Sequence, residues 1–199
     1  MRSVTVSMLS LFLIAIVVAG QAPQPAEKPS PFGLQMGMTK DQLGRIEKEV
    51  APYTFQLASV SKPHPDLETY VVSATPDAGV CFIRAVSPDW KTGEDGTLLK
   101  LRFNAMKSQF EDIYGKPYVI DSLQSGSRLD KPKDWMKGLL KNERALLARW
   151  SVPDNHPMKP TIAKIYVAAY AISRDSGYLA VEYYFSNYDQ CEVEVKTAK

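Results

Sequence analysis

Strand-like segments separated by turn-forming clusters constrain this sequence more than any other feature. Runs rich in β-branched and aromatic residues recur along the chain, and clusters such as KPHPD and TPDAG divide them. The predicted strands cover residues 54–59, 69–74, 80–86, 98–103, 145–152, 162–173 and 178–186. Because strands and helices do not alternate regularly, the pattern favours an α+β fold built on an antiparallel β-sheet.

Two or three helices are predicted to pack on one face of that sheet. Thr39 begins a capping-box pattern, which indicates a first helix that ends at Pro52. A second helix is predicted to start after Asn104 and to stop at Gly115. The segment PKDWMKGLLKNE, residues 132–143, has an apolar stripe and predicts a short third helix.

The order of these elements is repeated in outline. A helix followed by three strands occurs once over residues 39–86 and again over residues 104–186, where the third helix is inserted. This predicts a pseudo-duplicated helix-plus-three-strand unit, without residue-by-residue identity between the halves. The tail from Asn187 fits either a strand or a helical turn.

The N-terminal residues 1–20 have the pattern of a secretory signal peptide. One basic residue precedes an apolar run of twelve residues, which is shorter than the roughly 20 residues of a membrane-spanning helix. We expect cleavage near Ala19 or Gly20, then a proline-rich tether over residues 21–31 and a single α+β domain over residues 32–199. The alternative is an uncleaved N-terminal anchor. Cleavage predicts a soluble periplasmic or secreted protein.

Cys81 and Cys191 are the only two cysteines in the sequence. In an oxidising compartment, an even number of cysteines is most simply explained by a disulfide bond. The alternative is a pair of buried free thiols. We therefore expect a Cys81–Cys191 disulfide in the exported protein.

Composition excludes several classes of function. The 24 Lys and Arg residues nearly balance 22 Asp and Glu residues, so a net charge of +2 creates no strong field for binding nucleic acid. Multi-ligand zinc sites and iron–sulfur clusters are built from thiolates and imidazoles, and a total of two Cys and two His residues argues against both. We therefore predict no nucleic-acid partner, no metal and no cofactor.

One short segment carries a family resemblance. In GLQMGMTKDQL, residues 33–43, Gly37, Met38 and Thr39 precede Leu43 at a buried helical position. This segment resembles the start of the first helix in exported bacterial domains of the SmpA/OmlA type and of the β-lactamase inhibitor protein type. Elsewhere, YGKP at residues 114–117 and PKDWMKGLLKNER at residues 132–144 resemble uncharacterised exported bacterial proteins. The resemblances imply an α+β fold and do not indicate an activity. SmpA/OmlA-type proteins are anchored through a lipidated Cys, which this sequence lacks near its predicted cleavage point.

Catalytic residues are few. His64 in KPHPD and His156 in DNHPM are the only imidazoles available as general bases, and each is interpreted as a turn residue near Asp66 or Asp154. No nucleophile elbow, phosphate-binding loop, dinucleotide motif or HExxH sequence is present. A carboxylate pair could still form on folding. Its candidate members are Glu68, Glu111, Asp112, Glu143 and Glu182.

The segment between residues 125 and 149 is locally basic, with seven basic and three acidic residues. Its candidate binding surface consists of Lys133, Trp135, Lys137, Lys141 and Arg144. Such a helix could dock on an acidic protein or lie on an anionic membrane surface. The alternative is an ordinary amphipathic helix that packs its tryptophan into the core and points its lysines at water.

Tyrosines are concentrated near the C-terminus, where six of the ten lie between residues 166 and 188. On strands, Tyr170, Tyr178, Tyr183 and Tyr184 could present phenols on an open sheet face, although tyrosine is also a common strand residue. We therefore predict an exported, non-enzymatic domain that binds another protein. The alternatives are a carboxylate-dependent hydrolase acting on envelope glycans and a peripheral membrane-surface binder.

Overall fold

The computed structural model describes residues 30–154, 156 and 158–198, so the predicted signal peptide and most of the predicted tether lie outside the described residues. The strands are β1 (Ile46–Ala51), β2 (Thr54–Leu57), β3 (Thr69–Thr75), β4 (Gly79–Val86), β5 (Trp90–Lys91), β6 (Tyr118–Leu123), β7 (Arg144–Ser151), β8 (Ile162–Ala171) and β9 (Ser176–Phe185). The α-helices are α1 (Thr97–Tyr114), α2 (Trp135–Leu140) and α3 (Tyr188–Thr197). No helix in this part of the chain combines the length and apolarity needed to cross a membrane.

The strands form one antiparallel sheet, which confirms the predicted α+β fold. The order across the sheet is β1-β2-β3-β4-β9-β8-β7-β6, and the short β5 also pairs with β9. Each half of the chain contributes four consecutive strands, and the two halves meet where β4 pairs with β9. The predicted helix-plus-three-strand repeat is wrong, because only a 3-10 turn precedes the strands of residues 39–86, and the halves share four consecutive strands instead. The strand that the sequence analysis missed in the second half is β6.

The helix predicted from Thr39 is wrong beyond its first turn. The capping box forms, because the Thr39 backbone N–H donates to the Gln42 side-chain oxygen at 2.9 Å. Only a 3-10 turn over Lys40–Gln42 follows. Gly44 then adopts a φ of +77°, a conformation that ends a right-handed helix. The next residues, Ile46–Ala51, form strand β1 instead.

The strand predicted over residues 98–103 is also wrong, because these residues form the first turns of α1. Leu99 and Phe103 are buried four positions apart, and the same helical spacing continues through Met106 and Phe110. Leu101, which the strand prediction placed beside them, is 64% exposed. The predicted end of this helix at Gly115 is confirmed.

The three α-helices pack on both faces of the sheet. Helices α1 and α2 pack on β7, β8 and β9 and enclose the main core with the fully buried side chains of Phe103, Met136 and Trp150. Helix α3, which resolves the ambiguous tail, contacts β3 and β4. It joins a separate small cluster in which Cys81 and Cys191 pack with Phe82 and Tyr188. Phe82 alternates with the core residue Ile83, so α3 lies on the opposite face of the sheet.

A disulfide and side-chain hydrogen bonds attach helix α3 to β4 and to the turn between β3 and β4. Cys81 and Cys191 form a disulfide with Cα atoms 6.2 Å apart, as the sequence predicts. The Glu194 carboxylate accepts hydrogen bonds from the backbone N–H groups of Asp77 and Ala78, each at 3.1 Å. The Asn187 side chain donates to the Ala78 carbonyl at 2.8 Å. Covalent and polar contacts thus hold the C-terminal helix in place.

Candidate binding face

Successive side chains of β8 and β9 point to opposite faces of the sheet, so the tyrosines of these strands are divided between the two faces. Side chains such as Ile165 and Val181 enter the core, whereas their neighbours in sequence point to the surface opposite α1 and α2. We call this surface the open face. Its central residues are Phe82, Arg84, Leu147, Lys164, Tyr166, Ala168, Tyr170, Tyr178, Glu182 and Tyr184.

The predicted open-face tyrosines are placed correctly in three of four cases. Tyr170, Tyr178 and Tyr184 lie on the open face and are partly exposed. Tyr183 does not, because it is 4% exposed and its ring lies 6.2 Å from that of Phe110 in the core. The period of two along β9 requires this result, since positions 183 and 184 must face opposite ways. Tyr166, which was not singled out, belongs to the open face.

An ion pair between a buried carboxylate and a partly exposed arginine lies at the centre of the open face. In the register of the sheet, Glu182 stands opposite Arg84 on one side and Tyr166 on the other. The Arg84 guanidinium donates to one Glu182 carboxylate oxygen, and the Tyr184 hydroxyl donates to the other at 3.2 Å. Only 8% of Glu182 is exposed. Because a buried charge is tolerated only with partners, these contacts fix the positions of all three side chains.

The same arginine orders the neighbouring phenols. The Arg84 guanidinium carbon lies 4.9 Å from the centre of the Tyr170 ring, in cation–π geometry. Tyr170 and Tyr178 stack with centroids 5.2 Å apart and planes inclined by 16°. Burial, followed by the Glu182 charge, raises the pKa of Tyr184 above its ordinary value. The Tyr184 phenol therefore keeps its hydrogen to a higher pH than an ordinary tyrosine.

A shallow cavity of about 380 Å³ opens beside this cluster. Ala168 is buried and small, and it leaves space between the larger rings of Tyr166 and Tyr170 two positions before and after it on β8. Leu147 and Glu182 border the space from the adjoining strands. The arrangement provides an apolar floor, aromatic walls and polar phenol groups, which suits a side chain projecting from a partner surface.

The predicted basic surface is divided by the fold. Trp135 is 5% exposed and packs in the main core, with the Lys100 ammonium 4.6 Å from its ring centre. Arg144 pairs with Asp121 at 3.3 Å and has 15% of its side chain exposed. Lys133 and Lys141 are exposed, and Lys137 is partly buried. The lysines remain available to a partner, but the tryptophan serves as a core residue.

Gly96→Ala is expected to lower the free energy of unfolding by about 1 to 3 kcal/mol more than Gly126→Ala. A β-carbon at Gly96 would lie 2.1 Å from the Trp135 ring, whereas one at Gly126 would meet nothing within 4 Å. Both glycines have a positive φ, so both variants carry similar backbone strain. Urea unfolding of the two variants isolates the clash. Equal losses would show that the Trp135 ring is not fixed against Gly96.

The two histidines lie outside the helices and strands, and both rings contact polar groups. His64 receives the Asp66 backbone N–H at 3.1 Å on Nδ1, and its Nε2 lies 2.8 Å from the Gln109 side-chain oxygen. This confirms its interpretation as a turn residue beside Asp66. His156 has Nε2 2.8 Å from the Lys116 carbonyl oxygen and contacts the Ser151 backbone. The Ser151 hydroxyl donates to Asp154 instead, so the imidazole is not positioned to activate it.

The candidate hydrolase carboxylates are scattered. Glu182 is engaged by Arg84 and Tyr184 on the open face, whereas Glu143 accepts a hydrogen bond from the Ser127 hydroxyl at 2.5 Å. Glu68 and Asp112 are exposed, and Glu111 is partly buried on α1. Among residues 30–154, 156 and 158–198, no group of three His, Cys, Asp or Glu side chains could hold a metal ion.

The comparisons with known proteins do not connect this geometry to a family. The likeness of the Gly37-Met38-Thr39 turn to SmpA/OmlA-type and β-lactamase-inhibitor-protein-type domains stays a prediction. No family model, curated protein or solved structure matches the chain.

Proposed function

We propose that this chain is an exported, non-enzymatic binding domain whose open face receives a protein partner. The observation that carries the proposal is the cluster of partly exposed tyrosines ordered around the Arg84–Glu182 ion pair. Tyrosine and arginine are enriched among the residues that dominate protein–protein binding energies. An open sheet face that concentrates both types therefore has the composition of an interface centre.

The side chains of this cluster are held in fixed conformations, which favours binding. Ring contacts link Tyr166 to Tyr184 at 5.7 Å and Tyr184 to Phe82 at 4.8 Å, both in edge-to-face geometry. Side chains that are already held in one conformation lose little entropy when a partner arrives. Their flat faces and hydroxyl groups can then contribute apolar contact and hydrogen bonds together.

The cavity on this face supports a binding role over the hydrolase alternative. Glu182 is the only carboxylate among the residues that line it. Both carboxylate oxygens already accept hydrogen bonds, one from Arg84 and one from Tyr184. Hydrolysis of a glycoside needs two carboxylates on either side of the scissile bond. The ion pair supports a role for Glu182 in positioning the aromatic side chains.

Export completes the proposal. A long-range disulfide between Cys81 and Cys191 is compatible with an oxidising compartment. Residues 1–20 have the pattern of a signal peptide, and cleavage near Ala19 or Gly20 would release the domain. The proposed partner is therefore another periplasmic or extracellular protein, and an inhibitor of a secreted enzyme is a special case of this role.

Site-specific photo-cross-linking in the native envelope fraction tests the proposal. The photoreactive residue p-benzoylphenylalanine replaces Tyr170 on the open face, Leu101 on α1 or Lys133 before α2. Leu101 is 64% exposed and is the matched control. We expect one protein to be captured from position 170 and not from position 101. Its purified form should then bind Tyr166→Ala and Tyr170→Ala at least tenfold more weakly, as expected for interface centres.

Four results would contradict the proposal. Capture from position 133 alone would favour the basic lysine surface, and binding to anionic vesicles that fades with salt would favour a membrane role. Failure to capture any protein from position 170, with the variant folded, would reject the open face as a protein site. Unchanged affinity of both tyrosine variants would place the interface elsewhere.

A further inference from the structure

The two edges of the sheet differ in how they discourage pairing. Strand β1 forms one edge, and the consecutive charged residues Glu47, Lys48 and Glu49 are exposed on it. Its pairing with β2 is also irregular on both sides of this segment. Charges and irregular register are common devices against edge-to-edge association. The β1 edge is therefore poorly suited to accept another strand.

Strand β6 forms the opposite edge, and its one charged residue, Asp121, is already paired with Arg144 at 3.3 Å. It pairs with β7 over all six of its residues without a register shift, and within the described residues β7 is its only strand neighbour. Tyr118 is 55% exposed and Val119 is 43% exposed. Tyr118 belongs to the open face, where it stands opposite Arg149, whereas Val119 stands opposite the core residue Ala148. Apolar side chains thus border this edge on both faces of the sheet.

We infer that β6 pairs with β6 of a second copy of this chain, antiparallel and about a two-fold axis at Val119. In a two-fold pair of identical antiparallel strands, one residue must stand opposite itself. An axis at Val119 places the two Val119 side chains together. It also places Tyr118 opposite Ile120 of the second copy, twice. Aromatic and β-branched residues are favourable cross-strand pairs.

Registers centred nearer the C-terminal end of β6 are less favourable. An axis at Ile120 would place each Val119 opposite Asp121 of the second copy, and an axis at Asp121 would place two carboxylates together. The occupant that fits the edge is therefore a second copy, because the strand's own sequence supplies matching residues. Pro117 has no N–H and limits the length of the ladder. The dimer should accordingly be weak, with a dissociation constant on the order of micromolar.

This pairing would double the open face without changing it. Because the two-fold axis runs perpendicular to the sheet, the open faces of both copies would lie on the same side. A partner with two equivalent sites would then bind more tightly through avidity. The dimer itself does not depend on what the open face binds, so its test is independent of the proposed function.

Val119→Cys tests the inference directly, since the two native cysteines are joined in a disulfide. Opposed Cα atoms in antiparallel strands are about 4.5 to 5.5 Å apart, within disulfide range. Mild oxidation should convert most of the Val119→Cys protein into a covalent dimer. Ser122→Cys is the matched control, because position 122 is exposed on the same strand but would lie far from its equivalent. It should remain monomeric.

Sedimentation of the unmodified protein gives a second readout. We expect a monomer–dimer equilibrium that Val119→Lys shifts to monomer, with circular dichroism confirming that the variant is folded. The inference is overturned if the unmodified protein remains monomeric to its solubility limit. It is equally overturned if Val119→Lys still dimerises, or if Ser122→Cys cross-links as readily as Val119→Cys.

Discussion

Removal of the Cys81–Cys191 disulfide is expected to lower the free energy of unfolding by about 4 to 5 kcal/mol. The bond joins positions 110 residues apart, so it restricts most of the folded chain when that chain unfolds. Fewer conformations in the unfolded state raise its free energy relative to the native state. Urea unfolding of the oxidised protein and of the Cys81→Ser/Cys191→Ser variant should show this difference.

The structure also predicts where the effect begins. Cys191 is the only fully buried residue of α3, so the disulfide is the main attachment of that helix to the sheet. Hydrogen exchange should therefore accelerate first over Tyr188–Thr197 when the bond is lost.

Glu194→Gln is the control for this experiment. Glu194 accepts two backbone hydrogen bonds from the turn between β3 and β4. Its replacement therefore weakens a polar contact of α3 while the disulfide of the same helix stays intact. Glu194→Gln should lower the free energy of unfolding by about 1 kcal/mol. In other respects, the unfolding transition of this variant should resemble that of the unmodified protein. An equal loss in both variants would mean that chain restriction is not the source of the disulfide's effect.

The sheet could be predicted because its strands carry their own local signals. Strands β8 and β9 are long, rich in β-branched and aromatic residues, and joined by a short turn over residues 172–175. The start of α1 could not be predicted in the same way. Leu99, Leu101 and Phe103 fit a period of two, while Leu99 and Phe103 also fit a helical spacing of four. Only packing on β8 and β9 distinguishes the two patterns.

Strand β6 was missed for a different reason. Its residues are partly or fully exposed on both faces, so they show no apolar alternation that a sequence pattern could detect. The centre of the open face was equally hidden. Arg84 and Glu182 are 98 positions apart, and they meet because β4 and β9 become neighbours at the junction of the two halves. A tyrosine-rich strand signals such a face, but not the ion pair that orders it.

Replacing Glu182 with Ala is expected to lower the free energy of unfolding by about 3 kcal/mol. In this variant, the Arg84 guanidinium stays in a partly desolvated position without its carboxylate partner. Arg84 keeps 30% of its side chain exposed, which places the effect at the low end for a buried ion pair. Chemical unfolding measures the loss. Glu182→Gln is the control, since it preserves side-chain shape and one hydrogen-bond acceptor, and it should be less destabilising.

The double variant Arg84→Met/Glu182→Leu separates stability from order on the open face. Replacing both charges with apolar groups removes the desolvation penalty, so we expect stability within about 1 kcal/mol of the unmodified protein. The Tyr170 ring would lose its cation–π contact and Tyr184 its carboxylate partner. Partner binding should therefore weaken although the fold is retained. Retained affinity would show that the ion pair does not position the aromatic side chains for binding. If the double variant were as unstable as Glu182→Ala, lost packing rather than an unpaired charge would be the cause of the destabilisation.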